Sequence, residues 1–265
     1  MGRWLPYRRG AAAGHSRLAR LLCCLGGSRM PGGPLIAVND VQLYYESHGS
    51  GAPLVILGGL GVDVSEMGMV TGPLAERFRV IAVDNRGTGR SAKPPGPYSI
   101  EQMAADVAGL MDRLHLPRAH LAGISLGGRI AMALALDWPE RVDRLVLIAT
   151  SPRAAGRRWL VRAGMRVADL PMLRGHNRQP RHAMRAQFEA TTRFDCTSRL
   201  GRISTPALIV HGRSDRIAPV ALAEQMTALI PHSRLVLIDG GHLAPLLTQH
   251  RRLVSEIGAF LAASA

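Results

Sequence analysis

The sequence predicts an α/β protein with a doubly wound, mostly parallel central sheet. Three observations carry this prediction: short continuous apolar runs recur along the chain, apolar residues at helical spacing separate them, and turn residues bound both. Continuous apolar runs are typical of strands that are covered on both faces, as in a parallel sheet. Strands that alternate with helices favour crossover connections, which place helices on both faces of the sheet.

The chain divides into two unequal parts by charge and pattern. Residues 1–30 hold six arginines ahead of the first acidic residue, Asp40, and show no periodic apolar face. We expect a basic N-terminal extension over 1–30 and one α/β domain over 31–265, a length that suits a single core. The extension is interpreted either as a targeting segment or as the product of an upstream start codon, with Met30 opening the natural protein.

Composition restricts the partners and the compartment. The formal net charge is +14, which by itself favours nucleic acid or an anionic membrane. Much of that charge lies in the extension and in residues 151–190, so no nucleic-acid partner is expected. Three cysteines give no disulfide framework or paired metal-ligand spacing, which favours the cytoplasm and predicts neither a metal nor a cofactor. Without a run of about eighteen apolar residues, no membrane span is predicted, and the oligomeric state stays open.

The first predicted elements form a hairpin. Residues 35–38 and 42–45 are largely apolar, and Asn39-Asp40 between them is typical of a tight turn. Apolar residues from Ile100 to Leu114 recur at helical spacing, and Ser99 with Gln102 predicts the start of that helix. Six buried strands are predicted over 53–57, 80–83, 120–124, 145–148, 207–210 and 235–238. Shorter helices are predicted over 130–136, 220–229 and 253–261.

One interval, 151–204, interrupts the alternation of strands and helices. It contains no strand run, and Pro152, Pro171 and Pro180 divide it into arginine-rich helical pieces. We interpret it as a short helical cap inserted over the edge of the sheet. Nine arginines stand against two acidic residues within 151–190, and they form either a solvated face or a surface that attracts an anionic substrate.

A candidate nucleophile lies where the third buried strand meets a helix. Residues 123–127, Gly-Ile-Ser-Leu-Gly, have the Gly-x-Ser-x-Gly pattern of a nucleophile elbow, in which Ser125 occupies a tight strand-to-helix turn. The glycines let this turn close, and the helix N-terminus favours developing negative charge. The pattern alone is weak evidence, because small residues also permit close packing of a strand against a helix.

Two further residues give the pattern weight. Asp215 follows the strand at 207–210 in a turn, and His242 follows the strand at 235–238 in a loop. The order nucleophile, acid, histidine and the strand context are those of one known arrangement of the Ser-His-Asp triad. Two alternatives remain at this point: Asp215 as a cap for the helix that begins near Val220, and His211 as the histidine in place of His242.

Together these motifs resemble the α/β-hydrolase superfamily, from about Leu35 to Phe260. Residues 57–61, Leu-Gly-Gly-Leu-Gly, are similar to the family's oxyanion loop, and residues 84–91, Asp-Asn-Arg-Gly-Thr-Gly-Arg-Ser, to its loop after the fourth strand. The resemblance implies an oxyanion hole formed by the backbone N–H groups of Leu60 and Leu126. The family usually carries histidine where this chain has Gly58, which predicts a more loosely anchored loop. We interpret Asp84 and Arg86 as structural and assign no role to Ser91 or Asp63.

The resemblance implies a serine hydrolase in which Ser125 forms an acyl-enzyme, His242 is the base and Asp215 orients the histidine. The expected substrate is a small ester or lactone, as in the family's esterases and 3-oxoadipate enol-lactonases, and an anionic one if the cap arginines face the site. Serine at the elbow argues against the dehalogenases and epoxide hydrolases of the superfamily, which use aspartate there. A carbon–carbon hydrolase and a cofactor-free perhydrolase remain as alternatives on the same three residues. The alternative outside enzymology is a ligand receptor that hydrolyses slowly, if at all.

Overall fold

The computed structural model describes residues 33–155 and 179–263. The predicted extension over 1–30 and the middle of the predicted cap therefore lie outside the described residues. The described part contains eight strands: β1 Leu35–Val38, β2 Val41–His48, β3 Pro53–Leu57, β4 Arg79–Val83, β5 Ala119–Ile124, β6 Val142–Ile148, β7 Ala207–Gly212 and β8 Ser233–Ile238.

These strands form one sheet in the order β1-β2-β4-β3-β5-β6-β7-β8. β1 and β2 are an antiparallel hairpin, and β2 also runs antiparallel to β4. All the remaining neighbours are parallel. The hairpin turn sits at Asn39, whose φ of 47° is a left-handed conformation that asparagine tolerates well. The predicted mostly parallel sheet and its N-terminal hairpin are confirmed.

Helices cover both faces of the sheet. On one face the helices Ile100–Arg113 (α2) and Leu126–Asp137 (α3) pack against strand residues such as Val55 and Leu57. On the other face the helices Gly68–Leu74 (α1) and His250–Ala262 (α7) pack against Leu54 and Ile56. Alternate residues of β3 thus enter two different cores, which is why each strand reads as a continuous apolar run. The α-helices are α1 Gly68–Leu74, α2 Ile100–Arg113, α3 Leu126–Asp137, α4 Arg181–Arg193, α5 Val220–Leu229, α6 Ala244–Leu247 and α7 His250–Ala262, with 3₁₀ turns at Val64–Glu66, Pro139–Arg141 and Thr197–Arg202.

The described part of the interval between β6 and β7 contains no strand of the sheet. It contains α4 and the 3₁₀ turn Thr197–Arg202, and a single bridge joins Arg153 to Asp195. The assignment of 151–204 as a cap stays a prediction, because its middle is not described. Within 33–155 and 179–263, no helix is long and apolar enough to cross a membrane.

Candidate active site

Three of the residues singled out in the sequence meet at one edge of the sheet. Ser125 follows β5, Asp215 follows β7 and His242 follows β8. These strands are parallel, so their carboxyl ends lie along the same edge. In open α/β sheets this edge is where ligands bind.

Ser125 occupies a strained turn between β5 and α3. Its φ and ψ are 52° and −109°, a backbone conformation that side-chain-bearing residues rarely adopt. The glycines beside it are required by contact distance: a Cβ on Gly123 would lie 2.3 Å from the carbonyl oxygen of Gly127, and a Cβ on Gly127 would lie 2.2 Å from that of Leu57. The elbow predicted from the Gly-x-Ser-x-Gly pattern is therefore present, and it leaves Ser125 partly exposed.

A chain of two hydrogen bonds joins the three side chains. His242 Nε2 lies 3.1 Å from Ser125 Oγ, and His242 Nδ1 lies 2.7 Å from Asp215 Oδ2. An ionised carboxylate can only accept, so Nδ1 carries the proton and Nε2 is left to accept from the serine hydroxyl. In this tautomer His242 is set to take a proton from Ser125.

Asp215 is more deeply buried than its predicted place in a turn suggests. Asp215 is buried, and its Oδ1 accepts hydrogen bonds from the N–H groups of Ile217 and Ala218 at 2.8 and 2.9 Å. Burial alone would raise the pKa of Asp215, but hydrogen bonds from His211, His242 and the Ala218 N–H outweigh it and lower the pKa well below the usual range of an aspartate. The carboxylate thus stays ionised next to His242.

A second histidine touches the same acid. His211 is fully buried in β7, with its Nε2 2.7 Å from the Ala218 carbonyl oxygen and 3.3 Å from Asp215 Oδ2. Its Nδ1 has no hydrogen-bond partner in the described part of the chain, so Nε2 is the nitrogen that carries the proton. His211 therefore holds Asp215 and the following turn, while His242 alone reaches Ser125. In the sequence, His211 was an alternative to His242 as the base. It lies at the end of β7, directly before Gly212, and this position was its only signal of a supporting role.

The two predicted oxyanion donors flank the nucleophile. A Cβ added to Gly59 would lie 3.5 Å from Ser125 Cβ, so the loop that carries Leu60 is in contact with the elbow. Leu126 follows Ser125 directly and begins α3. Neither Leu60 N–H nor Leu126 N–H donates a hydrogen bond to another described residue. Leu126 N–H lies at the start of α3, where an unsatisfied N–H group suits an anion.

A model of the "alpha/beta hydrolase fold" family matches residues 52–194 and 181–247 of the chain, which is more than half of its length. The chain belongs to this family. One relative is the "Putative carbamate hydrolase RutD" of Azorhizobium caulinodans, 31% identical over 76% of this chain and 88% of the relative. Another is the "Pimeloyl-[acyl-carrier protein] methyl ester esterase" of Nitrosomonas europaea, 30% identical over 81% and 97%. The solved enol-lactonase of Burkholderia xenovorans is 28% identical, covers 87% of this chain with all of its own, and superposes with a TM-score of 0.77.

In this α/β-hydrolase two buried charged residues hold the loop after β4. Asp84 is fully buried and accepts from the N–H groups of Val64 and Arg90 at 2.8 and 2.7 Å, and burial raises its pKa to about 6. Arg86 is buried and forms an ion pair with Asp106, with a further hydrogen-bonded pair to Asp40. Their predicted structural roles agree with these contacts.

The two residues left unassigned in the sequence also have structural contacts. Ser91 Oγ accepts from the Tyr44 N–H and donates to the Asp84 carbonyl oxygen. Asp63 caps the 3₁₀ turn Val64–Glu66 by accepting from the Ser65 N–H at 2.9 Å. Both contacts hold the loops in which these side chains lie.

Arg129 is a residue that the sequence did not single out. It lies one turn after Ser125 on α3, is buried, and donates to Ser151 Oγ at 2.9 Å and to the carbonyl oxygens of Ser151, Arg153 and Thr191. Burial lowers the pKa of Arg129 to about 10, although Cys196 and Asp195 oppose the shift. The arginine thus ties the loop after β6 and the helix α4 to the nucleophile helix of the hydrolase.

Two of the three described arginines among the nine within 151–190 face solvent. Arg181 and Arg185 are exposed on α4, and Arg185 Nε pairs with Glu189 at 3.2 Å. Arg153 is half-buried, and six of the nine arginines fall in 156–178, outside the described residues. Where they can be placed, the arginines behave as a solvated face. Among the described residues, no group of three or more His, Cys, Asp or Glu could hold a metal ion.

Proposed function

We propose that this α/β-hydrolase cleaves carboxylic esters or lactones through an acyl-enzyme on Ser125. The observation that carries the proposal is the chain Ser125 Oγ, His242 Nε2, His242 Nδ1, Asp215 Oδ2, with distances of 3.1 and 2.7 Å. A serine hydroxyl is a poor nucleophile unless a base removes its proton during attack. His242 is the base in reach, and ionised Asp215 stabilises the imidazolium that results.

Acylation follows from this geometry. Ser125 Oγ attacks the substrate carbonyl carbon while its proton passes to His242 Nε2, and the carbonyl oxygen becomes an oxyanion. Donors aimed at that oxyanion contribute about 3–4 kcal/mol each in comparable enzymes, and Leu60 N–H and Leu126 N–H are the proposed donors. The tetrahedral intermediate then expels the alcohol oxygen, which takes the proton from His242.

Deacylation repeats the same steps with water. His242 removes a proton from water as the water oxygen attacks the acyl carbon, and the second tetrahedral intermediate releases the acid and returns the proton to Ser125. In a lactone the acid and the alcohol remain joined, so a single hydroxy acid leaves. Asp215 keeps its charge throughout.

The substrate class is inferred from the activities for which relatives are named. The esterase of Nitrosomonas europaea and the enol-lactonase of Burkholderia xenovorans are named for carboxylic ester bonds, whereas the relative from Azorhizobium caulinodans is named for a carbamate. Preference for an anionic substrate stays a prediction, because the described cap arginines, Arg181 and Arg185, are exposed to solvent. We therefore propose an ester or lactone without assigning its charge.

A substrate panel tests the proposal. Purified protein is assayed with p-nitrophenyl acetate, a carboxylated ester of similar size, a small lactone and an aryl carbamate, and Ser125→Ala is assayed beside it. We expect Ser125→Ala to lose at least ~10⁴-fold in kcat, because nucleophile and base act as one unit. Ser255→Ala, a change at an exposed position of α7, is the matched control and should keep full activity.

Each outcome of the panel assigns a different reaction. Turnover that survives Ser125→Ala overturns the mechanism. If the carbamate is turned over faster than every ester, the substrate class is carbamates. If neutral and carboxylated esters are turned over at equal rates at all salt concentrations, the enzyme has no preference for anionic substrates. Binding of an ester without any turnover supports the ligand receptor instead. Carbon–carbon cleavage and perhydrolysis use the same three residues, so they are assayed separately with a ring-cleavage product and with peroxide.

A further inference from the structure

The oxyanion loop of this chain cannot use the anchor that its family usually has. The family carries histidine at the position of Gly58, but a Cβ on Gly58 would lie 2.7 Å from the Val62 carbonyl oxygen and 3.4 Å from Met67 Sδ. Both atoms belong to the segment that immediately follows the loop. With no room for a side chain at residue 58, the loop needs to be held from another direction.

Asn85 supplies such a contact from the neighbouring strand. It follows β4, which pairs with β3, and only 3% of its surface is exposed. Its Nδ2 lies 3.0 Å from the Gly58 carbonyl oxygen. A carbonyl oxygen can only accept, so the amide group must present its NH₂ to Gly58.

This bond lies where the loop is easiest to deform. Residues 58, 59 and 61 are all glycine, and a peptide between glycines rotates at little steric cost. The Gly58 carbonyl and the Gly59 N–H belong to one peptide group, and Leu60 N–H belongs to the next. The two peptide groups meet at the Gly59 Cα, so a displacement of the first group moves the position from which Leu60 N–H points, unless the Gly58 carbonyl is held.

We propose that Asn85 is a positioning residue of the oxyanion hole: its bond to the Gly58 carbonyl takes the place of the missing histidine and keeps Leu60 N–H directed at the scissile carbonyl. The inference rests on the proposed function of Ser125. The far side of the loop is held by the 3.1 Å bond from Val62 N–H to the Gly59 carbonyl oxygen. This turn holds the peptide group that the Gly59 carbonyl shares with Leu60 N–H, and Asn85 holds the peptide group before it.

Two variants test the inference. Asn85→Ala removes the donor, and Asn85→Asp keeps the size but sets a carboxylate oxygen against the Gly58 carbonyl. We expect kcat for p-nitrophenyl acetate to fall by about 10–100-fold, less than the loss seen when an oxyanion donor is deleted outright, with KM changed by no more than about twofold. The inhibition constant of a trifluoromethyl ketone, whose adduct with serine carries an oxyanion, should rise by the same factor as kcat/KM falls.

Ser91→Ala is the matched control. It removes two buried hydrogen bonds from the same loop, to Tyr44 and Asp84, but none to Gly58. Urea unfolding measures the stability of all three variants, and Ser91→Ala should keep its kcat even where it lowers stability. An equal loss of kcat in Ser91→Ala, or an unchanged kcat and ketone affinity in folded Asn85→Ala, overturns the inference. If the unsubstituted enzyme neither turns over the ester nor forms the ketone adduct, the proposed hydrolase activity fails and the inference fails with it.

Discussion

The two carboxylate oxygens of Asp215 have different hydrogen-bond partners. Oδ1 accepts the N–H groups of Ile217 and Ala218 and so closes the turn after β7, whereas Oδ2 faces His242 and lies near His211. Asp215 can therefore close this turn and contact His242 at the same time, but its interpretation as the cap of helix α5 is wrong. Helix α5 itself begins after Pro219, without a side-chain cap.

The two histidines that contact Asp215 should respond differently to removal. His242→Ala should lower kcat by at least ~10³-fold, because the base is lost. His211→Ala should lower kcat by only about tenfold, since it removes one of several hydrogen bonds to Asp215, and should cost about 1–3 kcal/mol of unfolding free energy because a buried group is deleted. Steady-state kinetics and urea unfolding of both variants give the comparison. A larger loss of kcat in His211→Ala would reassign the base.

At the scale of elements, the nucleophile helix is held close to β3 by the absence of side chains. The Gly127 position faces the Leu57 carbonyl oxygen at 2.2 Å and the Gly58 carbonyl oxygen at 2.7 Å, measured from an added Cβ. Real Cβ atoms do not approach backbone oxygen so closely, so any side chain at Gly127 must separate α3 from the oxyanion loop. Catalytic alignment and packing thus depend on the same glycine.

A pair of glycine substitutions tests this packing. Gly127→Ala should cost several kcal/mol of unfolding free energy, on the order of an overpacked core site, and should reduce kcat by moving the loop. Gly72→Ala in α1, where an added Cβ meets nothing within 4 Å, should instead gain about 0.5–1 kcal/mol from helix propensity. Thermal or urea unfolding with kcat measures both. Equal stability of the two variants would show that the loop and helix can separate at no cost.

The sequence predicts the strands better than the helices and the long-range contacts. β3 and α5 have the predicted bounds because their apolar residues are bounded by clear turn residues. Helix α1 was missed, since Gly68, Gly72 and Pro73 all oppose helix formation and only packing against α7 overrides them. The three candidate catalytic residues could be predicted because each follows a strand, β5, β7 or β8.

The missed contacts depend on which strands are neighbours. Asn85 reaches Gly58 because β4 lies beside β3 in the sheet, although the two residues are far apart in sequence. Arg129 reaches Thr191 through the docking of α4, which lies beyond the partly undescribed interval. Neither residue belongs to a motif with a mechanism of its own, so spacing along the chain gave no signal for them.

At the scale of the whole molecule, the lowered pKa of Asp215 links stability to pH. The folded pKa lies below the unfolded value, so the ionised carboxylate stabilises the fold above about pH 4, and this contribution is lost as the pH falls through the folded value. Asp84 acts in the opposite sense. Burial raises its pKa to about 6, so its ionisation lowers stability as the pH rises toward that value.

Asp215→Asn separates the two effects, because Asp84 is present in both proteins. The stability advantage of the unsubstituted protein over the variant should be on the order of 2 kcal/mol near neutral pH and should shrink steadily below about pH 4. Urea unfolding at a series of pH values from about 7 to about 3 measures the difference. An advantage that stays constant over this range would mean that Asp215 titrates alike in the folded and unfolded chain.

The order of the strands along the chain determines when the three proposed catalytic residues are all present during synthesis. Ser125 follows β5, an inner strand of the sheet, whereas Asp215 and His242 follow β7 and β8, the last two described strands in chain order. Domains complete their folding only when such late elements dock. Under the proposed mechanism, a nascent or C-terminally clipped chain without His242 has no base for Ser125, so we expect it not to cleave esters.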